Sequence, residues 1–279
     1  SEIIIMKNNI KLDKISIDYR KKILEIISYA RRGHIPSAFS IIEILRVLYD
    51  DVLRIDCQNP LWEDRDRFIL SKGHGCLAIY VILAQKGFFR KHELHSFCKS
   101  TSILGGHPEY GKIPGIEAST GSLGHGLSIG AGIALNGKIE KKDYRTFVLL
   151  GDGECNEGSI WEAAMCASKH RLNRLTAIID YNKMQSYSTT HEVQELEPFA
   201  DKWKSFGFSV YETDGHDIDA LRAILTKTPL HNEMPTAVIC HTVKGKGISS
   251  LENNPSWHHK SGLSDEIIQK LIKELENLL

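Results

Sequence analysis

Apolar positions along the chain alternate between a helical and an extended period. Ile15, Tyr19, Ile23, Ile26, Ile27 and Ala30 recur at three- and four-residue spacing, which predicts an amphipathic helix over residues 10–32. Residues 40–52 continue in the same style, 67–70 form a short extended run, and 74–85 read as a helix. Residues 122–137 give a Gly- and Ala-rich helix able to pack closely. An apolar run from Thr146 to Leu150 predicts a buried strand at 147–150, followed by a helix at 156–171 and a second apolar strand at 175–180. Strand, helix and strand recur at 208–212, 217–225 and 236–241. Ile267, Ile268, Leu271, Ile272 and Leu275 line one side of a terminal helix over 264–279, which caps the domain or meets a partner. No linker-like break and no repeat interrupts the series. The alternation predicts an α/β fold, a parallel sheet with helices on both faces, in one domain over residues 1–279.

Composition narrows the class without naming a function. With 42% hydrophobic and 25% charged residues, a chain of 279 residues is globular and large enough to bury a substantial core. Its 35 basic and 35 acidic side chains cancel, so nothing electrostatic favours nucleic acid or an anionic membrane as a partner. Cysteines 57, 76, 98, 155, 166 and 240 form no Cys-x-x-Cys pair, which predicts reduced thiols in a cytoplasmic protein. Cys155 stands out among them because it lies inside a Gly-rich turn. Ile3-Ile4-Ile5 is too short for a signal peptide core, and no later apolar run reaches the length of a membrane span.

The chemistry concentrates where strands end. Gly151-Asp152-Gly153 follows the strand at 147–150, and Asp180-Tyr181-Asn182 closes the strand at 175–180. A right-handed βαβ crossover brings both ends to one edge, where open α/β sheets bind ligands. Gly-Asp-Gly alone is most simply a tight turn. An Asn just past the next strand is what a shared metal requires and a turn does not. Mg²⁺ takes hard oxygens, commonly one or two carboxylates completed by phosphate and water. Asp152 supplies charge, Asn182 a neutral oxygen, and Gly151 and Gly153 let the backbone approach a diphosphate. The pair does not distinguish thiamine diphosphate from a Mg-nucleotide.

Thirteen histidines are many, and several sit in Gly-flanked loops: Gly33-His34, Ser71-Lys72-Gly73-His74-Gly75, Gly105-Gly106-His107-Pro108-Glu109, Asp214-Gly215-His216-Asp217 and Trp257-His258-His259. Any one of them is most simply structural or exposed. Their clustering in loops suits proton exchange beside a ligand near neutral pH. Neither His-x-x-x-His nor His-x-Glu spacing with a third ligand appears, which argues against zinc.

With Asp64-Arg65-Asp66-Arg67-Phe68-Ile69-Leu70, Tyr110-Gly111, Thr120-Gly121-Ser122-Leu123-Gly124, Glu154-Cys155-Asn156-Glu157-Gly158 and Thr242-Val243-Lys244-Gly245-Lys246-Gly247, these runs resemble the transketolase family over residues 15–262. The likeness is to its N-terminal, diphosphate-binding half, as found in members whose halves are separate chains. Dehydrogenase E1 subunits share the Gly-Asp-Gly unit but not the Ser-Lys-Gly-His-Gly and His-Pro-Glu runs. Deoxyxylulose phosphate synthases share the plan with different loops. The resemblance implies thiamine diphosphate, Mg²⁺ (replaceable by Ca²⁺ or Mn²⁺) and transfer of a two-carbon ketol unit from a ketose to an aldose. By the same resemblance, Asp152, Asn182 and the Met184 carbonyl are metal ligands. Gly151 and Gly153 meet the diphosphate, while Gly121, Leu123, Lys244 and His74 contact the cofactor. His34 and His258 stand near the substrate C3 hydroxyl, and His74 and His107 near the C1 hydroxyl and the retained fragment. Glu157 belongs to a carboxylate network joining two cofactor sites of a dimer.

Several positions depart from the family's wording: Ile35-Pro36-Ser37 after His34, His125, Ser186-Tyr187-Ser188 after Asn182, and His259. The chain ends where a pyrimidine-binding domain would begin. A C-terminal subunit carrying that domain is the expected partner, in an α₂β₂ heterotetramer, with an apolar face left exposed on the lone chain. A non-catalytic thiamine diphosphate-binding homologue and another thiamine diphosphate or Mg-dependent enzyme are the alternatives.

Overall fold

The computed structural model describes residues 11–258, 260 and 262–279. Helix α1 (Lys14–Ala30) starts where the Asp13 side chain accepts from Ser16 N, and stops at Arg31, whose left-handed backbone returns its N–H to Ile27 O. Its predicted start at residue 10 lies outside the described residues. Pro36 opens a short α2 (Ile35–Phe39) that the apolar pattern does not announce. In place of one helix over 40–52, α3 (Ile42–Val47) passes into a π-turn at Leu48–Val52.

Strand β1 (Arg67–Leu70) leads through a 3₁₀ turn at Gly73–Gly75 into α4 (Cys76–Lys86). Helix α5 (Gly126–Ile139) starts four residues later than the sequence pattern predicts, because Gly124 turns the chain at φ +87° just before it. Then come β2 (Thr146–Gly151), α6 (Gly158–Lys169), β3 (Leu175–Tyr181), the unannounced short helices α7 (Thr190–Val193) and α8 (Phe199–Ser205), β4 (Ser209–Asp214), α9 (Ile218–Leu225), β5 (Thr236–His241) and α10 (Asp265–Glu276). Neither α7 nor α8 reaches three turns, so no apolar period develops in them.

The five strands among the described residues are all parallel, in the order β1-β2-β3-β5-β4. Alternate strand residues enter two separate cores. Phe147, Leu149, Ile178 and Val238 pack with apolar residues of α1, α3, α4, α9 and α10, while Val148, Leu150, Ile179 and Ile239 pack with α5, α6 and α8. Helices therefore cover both faces, as the continuous apolar strands predict. No helix among the described residues is long and apolar enough to cross a membrane.

The register fixes the ligand-binding edge. Gly151 pairs with Asp180, and Asp180 with Cys240, so three strand ends reach the same level. Close approach of α5 to β2 depends on Gly130, where an added Cβ would lie 2.4 Å from Val148 Cγ2. Gly130→Ala is expected to destabilise the fold by about 1–3 kcal/mol through overpacking. Urea unfolding measures this directly, and an unchanged midpoint would show that α5 has room to shift.

Candidate active site

Past the ends of β2 and β3 the chain closes on itself through carboxylates. Asp152 Oδ1 accepts from Gly153 N (2.7 Å) and its Oδ2 accepts from Lys183 N. Asn182 donates Nδ2 to Asp180 Oδ2 (3.0 Å), which turns its Oδ1 toward Met184 N (3.0 Å). Asp180 itself is fully buried and also accepts from Lys72 Nζ, Ser40 Oγ (2.7 Å) and Thr242 Oγ1. One acidic side chain thus orients the amide that the sequence nominates as a metal ligand.

A cleft of about 360 Å³ opens at this edge. It is lined by His34, His74, His107, Gly121, Leu123, Gly151, Asp152, Gly153, Glu157, Asn182, Met184, Lys244 and His258, so the structure brings together every residue that the sequence nominates. Ser37, Lys72, Glu154, Asn156, Gln185 and Ser186 line it too. Gly121 is confined to glycine twice over: its φ is +141°, and a Cβ would meet the His107 ring at 2.9 Å. A Cβ on Gly153 would fall 2.8 Å from Gln185 Cγ.

Charge in the cleft is balanced at short range. Burial, reinforced by the neighbouring Asp180, pushes the Asp152 carboxyl up to about 7. Burial, with Lys72 nearby, lowers Lys244 to about 8, against the pull of Asp152 and Asp180. Lys244 Nζ rests on the carbonyls of Met184 (3.4 Å) and Gln185 (3.3 Å). A cation is therefore already drawn to the Met184 oxygen. Asp152, Asn182 and Met184 together offer only hard oxygens, the donor set of Mg²⁺, Ca²⁺ or Mn²⁺. Among the described residues no group of three His, Cys, Asp or Glu side chains could hold a metal ion. Two buried cleft atoms, Ser37 Oγ and Gln185 Nε2, make no hydrogen bond among the described residues. They fit a polar ligand such as a diphosphate.

Beside the carboxylates stands a triangle of imidazoles. Ring centroids lie 5.7 Å apart for His34 and His74, 5.5 Å for His34 and His258, and 5.8 Å for His74 and His258. His34 Nδ1 is 2.9 Å from the His258 carbonyl, which can only accept, so the proton sits on Nδ1 and Nε2 is the basic nitrogen. His258 Nε2 meets Ser186 Oγ at 3.1 Å. Burial holds His74 well below the usual imidazole range, assisted by the positive charge of Lys72, so its ring is neutral at pH 7.

The departures sort into separate places. Pro36 lies at the start of α2, and its carbonyl accepts from Gly245 N (3.1 Å). His125 is exposed ahead of α5 and is not a cleft residue, Ser186 touches His258, and His259 lies outside the described residues. Cys155 is fully buried, and burial raises its thiol well above the usual range, so it is no nucleophile. Sequence reasoning missed Glu154. Its carboxylate accepts from Gly124 N (2.9 Å), Gly151 N (3.1 Å) and Ser71 Oγ, tying three loops into one wall. Its place two residues after Asp152, in a Gly-rich turn, was the available signal.

The chain resembles known proteins in sequence and in fold. The family model described as "Transketolase, thiamine diphosphate binding domain" matches residues 13–276. One subunit of the apulose-4-phosphate transketolase of Phocaeicola vulgatus is 41% identical over 262 residues, 93% of either chain. 6-deoxy-6-sulfo-D-fructose transketolase subunit SqwG of a Clostridium species is 39% identical, over 92% of this chain and 93% of its own. Human transketolase is 35% identical over 91% of this chain, which spans only 41% of its length. The crystal structure of Campylobacter jejuni transketolase superposes with a TM-score of 0.87 at 26% identity, covering 96% of this chain and 43% of that one.

Removing Glu154 leaves two amide donors unsatisfied inside the wall. Glu154→Ala is expected to cost about 3 kcal/mol, and Glu154→Gln less, since the amide keeps one acceptor. Chemical unfolding of the two variants would show this order, and equal stability would remove Glu154 from the wall's support.

Proposed function

The chain belongs to the transketolase family, as its thiamine diphosphate binding domain, and on that premise we propose that it is the cofactor-holding subunit of a split transketolase. The observation that carries this reading is the meeting of the Asp152, Asn182 and Met184 oxygens with three imidazoles on one cleft. Bound there with Mg²⁺, thiamine diphosphate supplies the carbon nucleophile and electron sink that allow a ketose C2–C3 bond to break and a two-carbon unit to pass to an aldose.

The chain's own residues hold, orient and exchange protons. Asp152, Asn182 and the Met184 carbonyl hold the metal, replaceable by Ca²⁺ or Mn²⁺, and Gly151, Gly153 and Lys244 meet the diphosphate. Gly121 and Leu123 lend backbone contacts. His34 Nε2, kept basic by the Nδ1 contact, takes the proton of the C3 hydroxyl, with His258 beside it. His74, neutral through burial, and His107 hold the C1 hydroxyl of the donor. A carboxylate would bind these protons too weakly at neutral pH, whereas imidazole returns them to the next substrate.

Relatives at nearly full length are named as subunits, which supports a C-terminal partner bearing a pyrimidine-binding domain. Exposed Ile129 and Met165, on the mutually packed helices α5 and α6, suit an α₂β₂ assembly in which Glu157 joins paired sites. The named substrates of those relatives are a ketose phosphate and a sulfonated ketose, so the donor here is an anionic ketose. Six unpaired cysteines suit the cytoplasm.

Asp152→Ala is expected to keep the fold and weaken Mg²⁺-dependent binding of thiamine diphosphate about a hundredfold or more. Calorimetric titration with cofactor and Mg²⁺ checks it, and unchanged affinity would falsify the ligand assignment. Co-purification with the partner, then a screen of anionic ketoses, tests the reaction; no ketol transfer from any of them would sink it.

A further inference from the structure

The Asp214-Gly215-His216 run stands out in the sequence, yet the cleft does not contain it. In the fold it docks on the residues that lead into Lys244. Asp214 Oδ1 accepts from His216 N at 2.9 Å and shapes the turn. Gly215 lets Thr242 approach, since a Cβ there would lie 2.3 Å from Thr242 Cγ2. His216 Nε2 then accepts from Val243 N at 2.9 Å, while its Nδ1 lies 2.8 Å from Glu43 Oε2.

Only one protonation pattern satisfies both contacts. An amide N–H can only donate, so Nε2 is bare, and the proton sits on Nδ1 facing the carboxylate. Burial alone would raise the Glu43 carboxyl, but the Arg20 guanidinium and the His216 hydrogen bond hold it well below the usual range. Arg20, fully buried, grips Glu43 with both terminal nitrogens (2.6 and 3.0 Å). Its Nε donates to Lys246 O at 2.8 Å, and Nη2 also donates to Phe39 O at 2.8 Å.

The chain of contacts therefore closes around one turn. His216 holds Val243 and Arg20 holds Lys246, the residues flanking Lys244-Gly245, with Glu43 joining the two holders. Lys246 N returns to Val243 O (3.1 Å), and Asn253 N donates to Lys244 O (2.9 Å). A buried Arg–Glu pair adds little net stability over an apolar replacement, so its stronger effect is on geometry. Here it confines the backbone from which Lys244 enters the cleft.

We propose that Arg20, Glu43 and His216, contributed by α1, α3 and the turn before α9, form a buried clamp that positions Lys244 for the cofactor's diphosphate. The role of Lys244 rests on the function proposed above; the clamp on its backbone does not. These are positioning residues, since none of the three lines the cleft.

His216→Phe keeps the ring's bulk and removes both hydrogen bonds. His216→Gln can place its amide oxygen near the position of Nε2, where it still accepts from Val243 N. In the full chain without cofactor, hydrogen exchange over residues 242–247 should quicken at least tenfold in H216F and return most of the way in H216Q. Binding of thiamine diphosphate with Mg²⁺ should weaken about ten- to a hundredfold in H216F and recover in H216Q, the scale seen for partners that orient a ligand-bearing group. Unchanged exchange over 242–247, or exchange that quickens equally through α1, β2 and α10, would overturn the clamp. So would an affinity that does not follow the local exchange across the variants. Should H216F fail to fold, H216Q against Glu43→Gln decides by the same local exchange: protection retained in both overturns the proposal, and protection lost only in E43Q supports it. A wild-type chain that binds no thiamine diphosphate would sink the proposed function and leave the exchange measurement to judge the clamp.

Discussion

Asp180 is the constraint from which this cleft is built. It lies at the end of the central strand β3, fully buried, and its two oxygens receive Lys72 from the loop after β1, Ser40 from the turn after α2, Thr242 from the end of β5 and Asn182 from its own loop. Burial would raise such a carboxyl, but Lys72 and the hydroxyl donors keep it below its ordinary range. A charge this deep is tolerated only when it is paired and hydrogen-bonded. Meeting both conditions draws the ends of β1, β3 and β5 into one fixed cluster.

That cluster has a second effect on its neighbours. Burial, and then the charge that Asp180 keeps, make Asp152 harder to ionise, and its carboxyl rises to about 7. A divalent cation relieves both burial and like-charge repulsion at Asp152, so the arrangement favours a metal more than a lone surface carboxylate would. Lys244, drawn onto the Met184 carbonyl, shows the same field acting on the chain's own cation.

Much of this is legible in the sequence because parallel sheets translate spacing into position. The apolar runs ending at Leu150 and Asp180, separated by one helix, dictate that Asp152 and Asn182 share an edge, and the register pairs Gly151 with Asp180. His34, His74, His107 and His258 reach the same cleft because their loops leave the fold at the same edge, whereas His216 does not line it. Other features resist reading for definite reasons. Lys72 and Glu154 look like ordinary loop charges, and only burial with specific partners gives them roles. The start of α5 at Gly126 is set by the backbone of Gly124, which no apolar period encodes. Between Ser40 and Val52 the period persists while the hydrogen bonding changes to a π-turn. His125 departs from the family pattern yet stands exposed away from the cleft, so wording alone overstated its weight.

Two buried ion pairs among the described residues divide the labour of holding the site. Lys72–Asp180 lies under the cleft floor and orients Asn182, whereas Arg20–Glu43 lies behind the wall and fixes the Lys244 turn through His216. Thr242 and Val243, adjacent in sequence, are held by different pairs: the Thr242 hydroxyl by Asp180, the Val243 amide by His216. Gly215 lets both contacts exist at once, because any side chain there would displace Thr242. The segment after β5 is thus fixed from the floor and from the wall. A lysine carried on it therefore meets the Asp152 edge of the cleft from a backbone held on two sides.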